Sequence, residues 1–135
     1  MVAKNKLRDA GLTLSCHLGD LLAENSDLST ALLPLRCNTR IRAIELGTGT
    51  GMVGISLAQT MKAANVVLTD LPEARDIVER NLRHIETTDG SSLRFQELDW
   101  AKDLPPDLSS AHAPFNLVLA ADCIYNSDSR WVCAL

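Results

Sequence analysis

The decapeptide at positions 45–54, ELGTGTGMVG, is the stretch of this chain best suited to holding a ligand. Gly49, Gly51 and Gly54 fit the spacing G-x-G-x-x-G, and a β-rich run, IRAIEL (41–46), leads into them. Glycines at such a turn let the main chain come close to a bound group at the start of a helix, whatever that group is. Two adenosine-containing ligands fit a strand–loop–helix crossover of this kind. One is a dinucleotide, held by its pyrophosphate; the other is S-adenosylmethionine, held by its methionine end. The turn alone does not choose between them.

Residues further along do. Glu45 ends the first strand two residues before Gly47. A carboxylate there repels a phosphate and attracts the ammonium of a methionine moiety. Asp70 closes the run VVLT (66–69) and can accept hydrogen bonds from ribose hydroxyls, which suits either ligand. In LDW (98–100), Asp99 can accept a hydrogen bond from an adenine amino group, and Trp100 can lie on the adenine face. Such stacking is worth roughly 1–3 kcal/mol. A dinucleotide fold has no particular need of that pair, so the balance moves to S-adenosylmethionine.

These residues need elements to position them. Leu18, Leu21 and Leu22 lie at helical spacing, which predicts a short leading helix ended by the polar run ENSDLST (24–30). After the strand 41–46, apolar positions from Val53 to Met61 predict a helix buried on much of its surface. Residues 66–69 read as a second buried strand. Asp70 and Glu73, with Pro72 between them, have the pattern of a capping box for the helix that follows. LRFQEL (93–98) alternates as a third strand. A loop rich in Pro, Ser and Asp (101–114) leads to NLVLAA (116–121), an apolar run typical of a parallel sheet. The order β-α-β-α-β-loop-β predicts an α/β fold: an open parallel sheet with helices on both faces.

Composition narrows the partners. The chain has 135 residues, 46% apolar and 22% charged, which is enough for one globular domain. A net charge of −4 and scattered basic residues argue against a nucleic-acid grip. The four cysteines form no C-x-x-C pair and no metal-ligand spacing, so no metal is expected. AGLTLSCHLGDLLA makes a poor signal peptide and is too short to cross a bilayer. A cytoplasmic setting, or a nuclear one, is the expectation.

With those residues in hand, the chain resembles a class I, Rossmann-like methyltransferase. More narrowly, it is similar to methyltransferase family 16, which includes many protein-lysine methyltransferases. IELGTGTGMVGISLA, VVLTDLPEA with Asn81 downstream, LDW and FNLVLAADCIYN carry the resemblance, over residues 41 to 126. It implies S-adenosylmethionine as cofactor and N-methylation of a lysine on a protein substrate, or of a small amine. Glu45, Gly47, Gly49 and Gly51 would then surround the methionine part. Asp70 would hold ribose, Asp99 and Trp100 adenine, and Ala120 would complete the cofactor site. DCIY matches the family's D-x-x-Y motif, so Asp122 and Tyr125 would face the acceptor amine as the catalytic pair.

The pattern departs from the family in two places. Ser15 and Cys16 stand in GLTLSCHL where the family usually carries a tryptophan after the glycine. The tail SDSRWVCAL resembles no further helix or strand, so the sheet is expected to lack its last three strands. The expected organisation is an N-terminal helix and connecting loop (1–40), a methyltransferase core (41–126) and an atypical tail (127–135). If the strand order is 3-2-1-4, the fourth strand is an open edge able to pair with a partner. Three functions follow, in this order: a methyltransferase, inactive if the short chain lacks its acceptor pocket; a non-catalytic adenosyl-binding or interaction fragment; and an NAD(P)-dependent oxidoreductase.

Overall fold

A computed structural model of the chain describes residues 9–38, 40–87, 90–109 and 114–123. Tyr125 and the tail 127–135 lie outside the described residues. Among the described residues, four strands form the sheet: β1 (Ile41–Leu46), β2 (Ala64–Asp70), β3 (Ser92–Glu97) and β4 (Leu117–Ala120). Their order is β3-β2-β1-β4, and every neighbouring pair is parallel. The expected α/β architecture and strand order both hold.

Side-chain alternation divides the core between the two faces of the sheet. On one face Ile41, Ala43, Val66, Leu68 and Leu119 join a cluster with residues from all four helices: α1 (Asp9–Leu21), α2 (Asp27–Asn38), α3 (Met52–Thr60) and α4 (Arg75–Leu82). Opposite them, Ile44 and Val67 pack with Leu98 and Leu108. Trp100 and Phe115 close over that second cluster, and the Arg42 guanidinium lies 4.6 Å from the centre of the Phe115 ring. Where a second helical layer was expected, the described residues place the β3–β4 connection, pinned by buried Leu108.

The N-terminal region differs from expectation. The polar run does end α1, but it also begins α2, where a connecting loop was expected. The Ser26 hydroxyl explains both events. It donates to the Leu21 carbonyl at the end of α1 (2.6 Å) and accepts from the Ser29 amide in the first turn of α2 (3.0 Å). The buried stripe is also shifted. Leu14, Leu18 and Leu22 meet the core at i, i+4 spacing, while Leu21 is 41% exposed.

Candidate functional site

The β1–α3 turn takes its shape from three glycines. Gly47, Gly49 and Gly51 have φ of 62°, 59° and 83°, the left-handed region that side chains other than glycine rarely adopt. A Cβ on Gly47 would stand 2.7 Å from Cys123 Cβ, and one on Gly51 would press on Leu68 at 3.3 Å. Gly49 differs: its Cβ position meets no atom of the described residues within 4 Å. Two glycines therefore let the protein close on itself, and the middle one borders open space.

Hydrogen bonds from neighbouring strands fix the turn. The Thr48 amide donates to the Thr69 carbonyl at 2.9 Å, and the Gly51 amide to the Thr48 carbonyl at 2.9 Å. Asp70, at the end of β2, accepts from the Gly49 amide at 2.7 Å through Oδ2, and from the Leu71 amide at 2.8 Å through Oδ1. The expected capping box does not form. A 3-10 turn (Pro72–Ala74) precedes α4, with no side-chain cap. The Asp70 carboxylate instead reaches sideways to the glycine turn.

Glu45 lies beneath that turn, 3% exposed. Its Oε2 accepts from Thr48 Oγ1 (2.7 Å) and from the Gly54 amide (2.9 Å), and its carbonyl accepts from Thr69 Oγ1 (2.6 Å). Gly54, the last glycine of the motif, leaves room for this packing. A Cβ there would fall 2.2 Å from Leu68 Cδ2 and 2.7 Å from Glu45 Oε2. Burial pushes the Glu45 carboxyl up to about 7; the Thr48 and Gly54 bonds oppose the shift, and the charge of Asp70 adds to it.

The ends of three strands converge here. Trp100, beyond β3, brings its ring to 4.0 Å from the Gly47 Cβ position, and Cys123, beyond β4, packs on the same glycine. Cys123 is buried, and burial pushes its thiol up, with Asp122 and Glu45 adding to the shift. In open α/β sheets, ligands bind at the carboxyl ends of the strands, where the strand order reverses. The glycine turn follows β1, whose neighbours β2 and β4 lie on its two sides.

Comparison with known proteins identifies the family. Residues 3–132 match the lysine methyltransferase family. The chain belongs to that family. It is 38% identical over 97 residues to protein-lysine N-methyltransferase rrg1 of Schizosaccharomyces pombe, an alignment covering 64% of this chain and 30% of the relative. It is 33% identical over 89 residues to calmodulin-lysine N-methyltransferase of Arabidopsis thaliana (62% and 27% covered). With EEF1A lysine methyltransferase 3 of Mus musculus it shares 36% identity over 84 residues (62% and 33% covered). The chain thus spans about a third or less of the length of these relatives.

Ala120, Asp122, Asp99 and Trp100 fall on the same end of the sheet. Ala120 closes β4 opposite Leu46 and is exposed. Asp122 follows with a φ of 52°, exposed, while Tyr125 lies outside the described residues. Asp99 serves its own turn, accepting from the Ala101 amide at 3.0 Å and pairing with Lys102 Nζ at 3.2 Å. That amide first, and then Lys102, hold its carboxyl below the usual range. Trp100 is half-buried against the second cluster. Sequence reasoning missed Thr48 and Thr69 altogether. Both are buried hydroxyls, Thr48 within the glycine turn and Thr69 at the end of the apolar run of β2, where a buried hydroxyl needs a partner.

Proposed function

We propose that this chain binds S-adenosylmethionine at the carboxyl ends of its strands and serves the N-methylation of a lysine side chain on a protein. One observation carries the choice of ligand. Two acids on adjacent strands, Glu45 and Asp70, bond to the same glycine turn, Glu45 through the Thr48 hydroxyl and Asp70 through the Gly49 amide. A pyrophosphate placed there would meet two acids, whereas a methionine ammonium and ribose hydroxyls would meet acceptors. The names of the relatives support the same reading.

The residues fit such a ligand. Gly49 leaves open space beside the turn. Each Asp70 oxygen uses one lone pair on a backbone amide and keeps another for a ribose hydroxyl. Asp99 has the same spare capacity toward an adenine amino group, and Trp100 flanks it. When bound, the cofactor supplies a sulfonium methyl group: the amine nitrogen gains the N–C bond, the S–C bond breaks, and the amine proton passes to solvent. A lysine amine has a reference pKa of about 10.4, so roughly one in a thousand is free near neutral pH. Asp122 would accept a hydrogen bond from that amine and orient it, with Tyr125 shaping the pocket. Orientation of this kind contributes up to roughly 7–11 kcal/mol in well-aligned intramolecular reactions.

A second reading, an adenosyl-binding module that recruits a partner without turnover, draws support from β4. That strand is one of the two sheet edges among the described residues, and Val118 on it is 52% exposed. The same proposal places the protein in a reducing compartment, cytoplasmic or nuclear, consistent with free thiols at Cys16 and Cys123.

Calorimetric titration of the 135-residue chain with S-adenosylhomocysteine, using NAD as control, tests the ligand. Selective micromolar binding is expected, and a preference for NAD would overturn the assignment. Asp70→Ala should weaken binding at least about tenfold, through loss of charged hydrogen bonds worth roughly 1.5–3 kcal/mol each. Turnover on a lysine-bearing protein then separates the enzyme from the binding module.

A further inference from the structure

Asn81 belongs to a motif stretch, yet nothing in the cofactor site as described uses it. It sits on α4, which follows β2 and the 3-10 turn. Asparagine is also a poorer helix former than alanine, leucine or lysine, so its place in the last turn of α4 has no local rationale. Its side chain reaches 31 residues back along the sequence. Asn81 Nδ2 donates to the Thr50 carbonyl at 2.8 Å, inside the glycine turn. Only the amide NH2 can donate to a carbonyl, which fixes the orientation of the group.

The bonded atom matters. The Thr50 carbonyl and the Gly51 amide belong to one peptide group, and that amide donates to the Thr48 carbonyl at 2.9 Å. One peptide plane is therefore held at both ends, by α4 on one side and by the turn itself on the other. It lies directly between Gly49, whose open side faces the proposed ligand, and the first residue of α3. Val78, three residues before Asn81 and on the same helix face, stands 3.5 Å from the Gly51 Cβ position. Helix α4 thus meets the turn twice, by packing at Gly51 and by a hydrogen bond at Thr50.

We infer that Asn81 is a positioning residue for the cofactor turn, holding the Thr50–Gly51 peptide in the orientation that the methionine end requires. The inference rests on the reading of that turn as the S-adenosylmethionine site. Glycines with positive φ have other conformations within easy reach, so a turn built on three of them needs external ties to keep one shape. Asp70 ties the Thr48–Gly49 peptide from β2, and Asn81 ties the next but one from α4. Freeing the Thr50 carbonyl leaves the Gly51 amide bond unsupported on one side, and the turn samples shapes that bind less well.

The test uses the full 135-residue chain as wild type, Asn81→Ala and Asn81→Asp, with Arg80→Ala as control; Arg80 is the exposed neighbour on the same helix. Amide hydrogen exchange at Gly51 is measured without ligand, followed by titration with S-adenosylhomocysteine. Both Asn81 variants should exchange faster at Gly51 and bind roughly five- to tenfold more weakly, the equivalent of one lost hydrogen bond. Arg80→Ala should change neither. Unchanged Gly51 protection in a folded variant overturns the inference, as does faster exchange with unchanged affinity. If both Asn81 variants lose their helical circular dichroism, the residue is structural and the inference also fails. Absence of binding by wild type overturns the cofactor reading instead, and the Gly51 exchange rate still decides whether Asn81 holds the turn.

Discussion

Glu45 answers to two demands at once. Its position at the end of a strand before a glycine turn was legible in the sequence. What spacing did not show is that Thr48 and Gly54 take the same oxygen, because those contacts exist only once the turn has its left-handed shape. Asp70 likewise stood where expected, but its reach to the Gly49 amide depends on the parallel β1–β2 register rather than on local sequence. The burial that holds Glu45 also sets a pH dependence. Its carboxyl has an ordinary value of 4.5 and rises to about 7 in the fold. Between those values the folded chain binds more protons than the unfolded one, so this group makes stability fall as pH rises, with the loss complete above about 7. A shift of that size corresponds to about 3 kcal/mol. Glu45→Gln keeps the shape and removes the titration. Urea denaturation should find the variant gaining on wild type between pH 5 and pH 8, by up to about 3 kcal/mol, while its affinity for S-adenosylhomocysteine falls. A stability difference independent of pH would show that Glu45 does not titrate in this range.

At the scale of elements, the strands were the most legible part, since each is a short apolar run bounded by turn residues. β2 is longer than VVLT because Ala64 and Asn65 already pair with Ile41 and Arg42, a contribution from the neighbouring strand that local pattern cannot contain. The helices were harder. The polarity of ENSDLST predicts the end of a helix, yet a serine before Asp-Leu-Ser is also a helix start, and the structure uses it as one. Which meaning prevails depends on Leu32, buried against the first cluster, which gives α2 a tertiary reason to exist. Ser26→Ala removes the acceptor for the Ser29 amide and the donor to the Leu21 carbonyl. It should lower stability by about 1 kcal/mol, read as a drop in thermal midpoint, without changing cofactor affinity. A midpoint equal to wild type would mean that α2 does not depend on this cap.

At the scale of the molecule, the described residues cover the sheet unevenly. One face carries four helices and the larger cluster, while the other relies on the β3–β4 connection and a cluster built on Ile44, Val67, Leu98 and Leu108. The sequence announced the parallel order through its crossovers, but a Pro-, Ser- and Asp-rich connection gave no sign that Leu108 would anchor it as a cover. That cover reaches Ile44 and Val67 and stops short of β4. Val118, registered beside Ile44, is 52% exposed, whereas the next residue, Leu119, is buried at 6%. Adjacent residues of one strand thus test the architecture in opposite senses. Leu119→Ala should cost about 2–5 kcal/mol, because it opens a cavity under the helices. Val118→Lys should change stability by no more than about 0.5 kcal/mol. The lysine has a second consequence, since edge strands with apolar residues recruit other chains and a charge on them opposes pairing. Sedimentation of the wild-type chain is expected to show association that grows with concentration, and Val118→Lys should reduce it. Association of equal strength in both chains would move the contact away from β4, and the partner-recruiting reading of this edge would go with it.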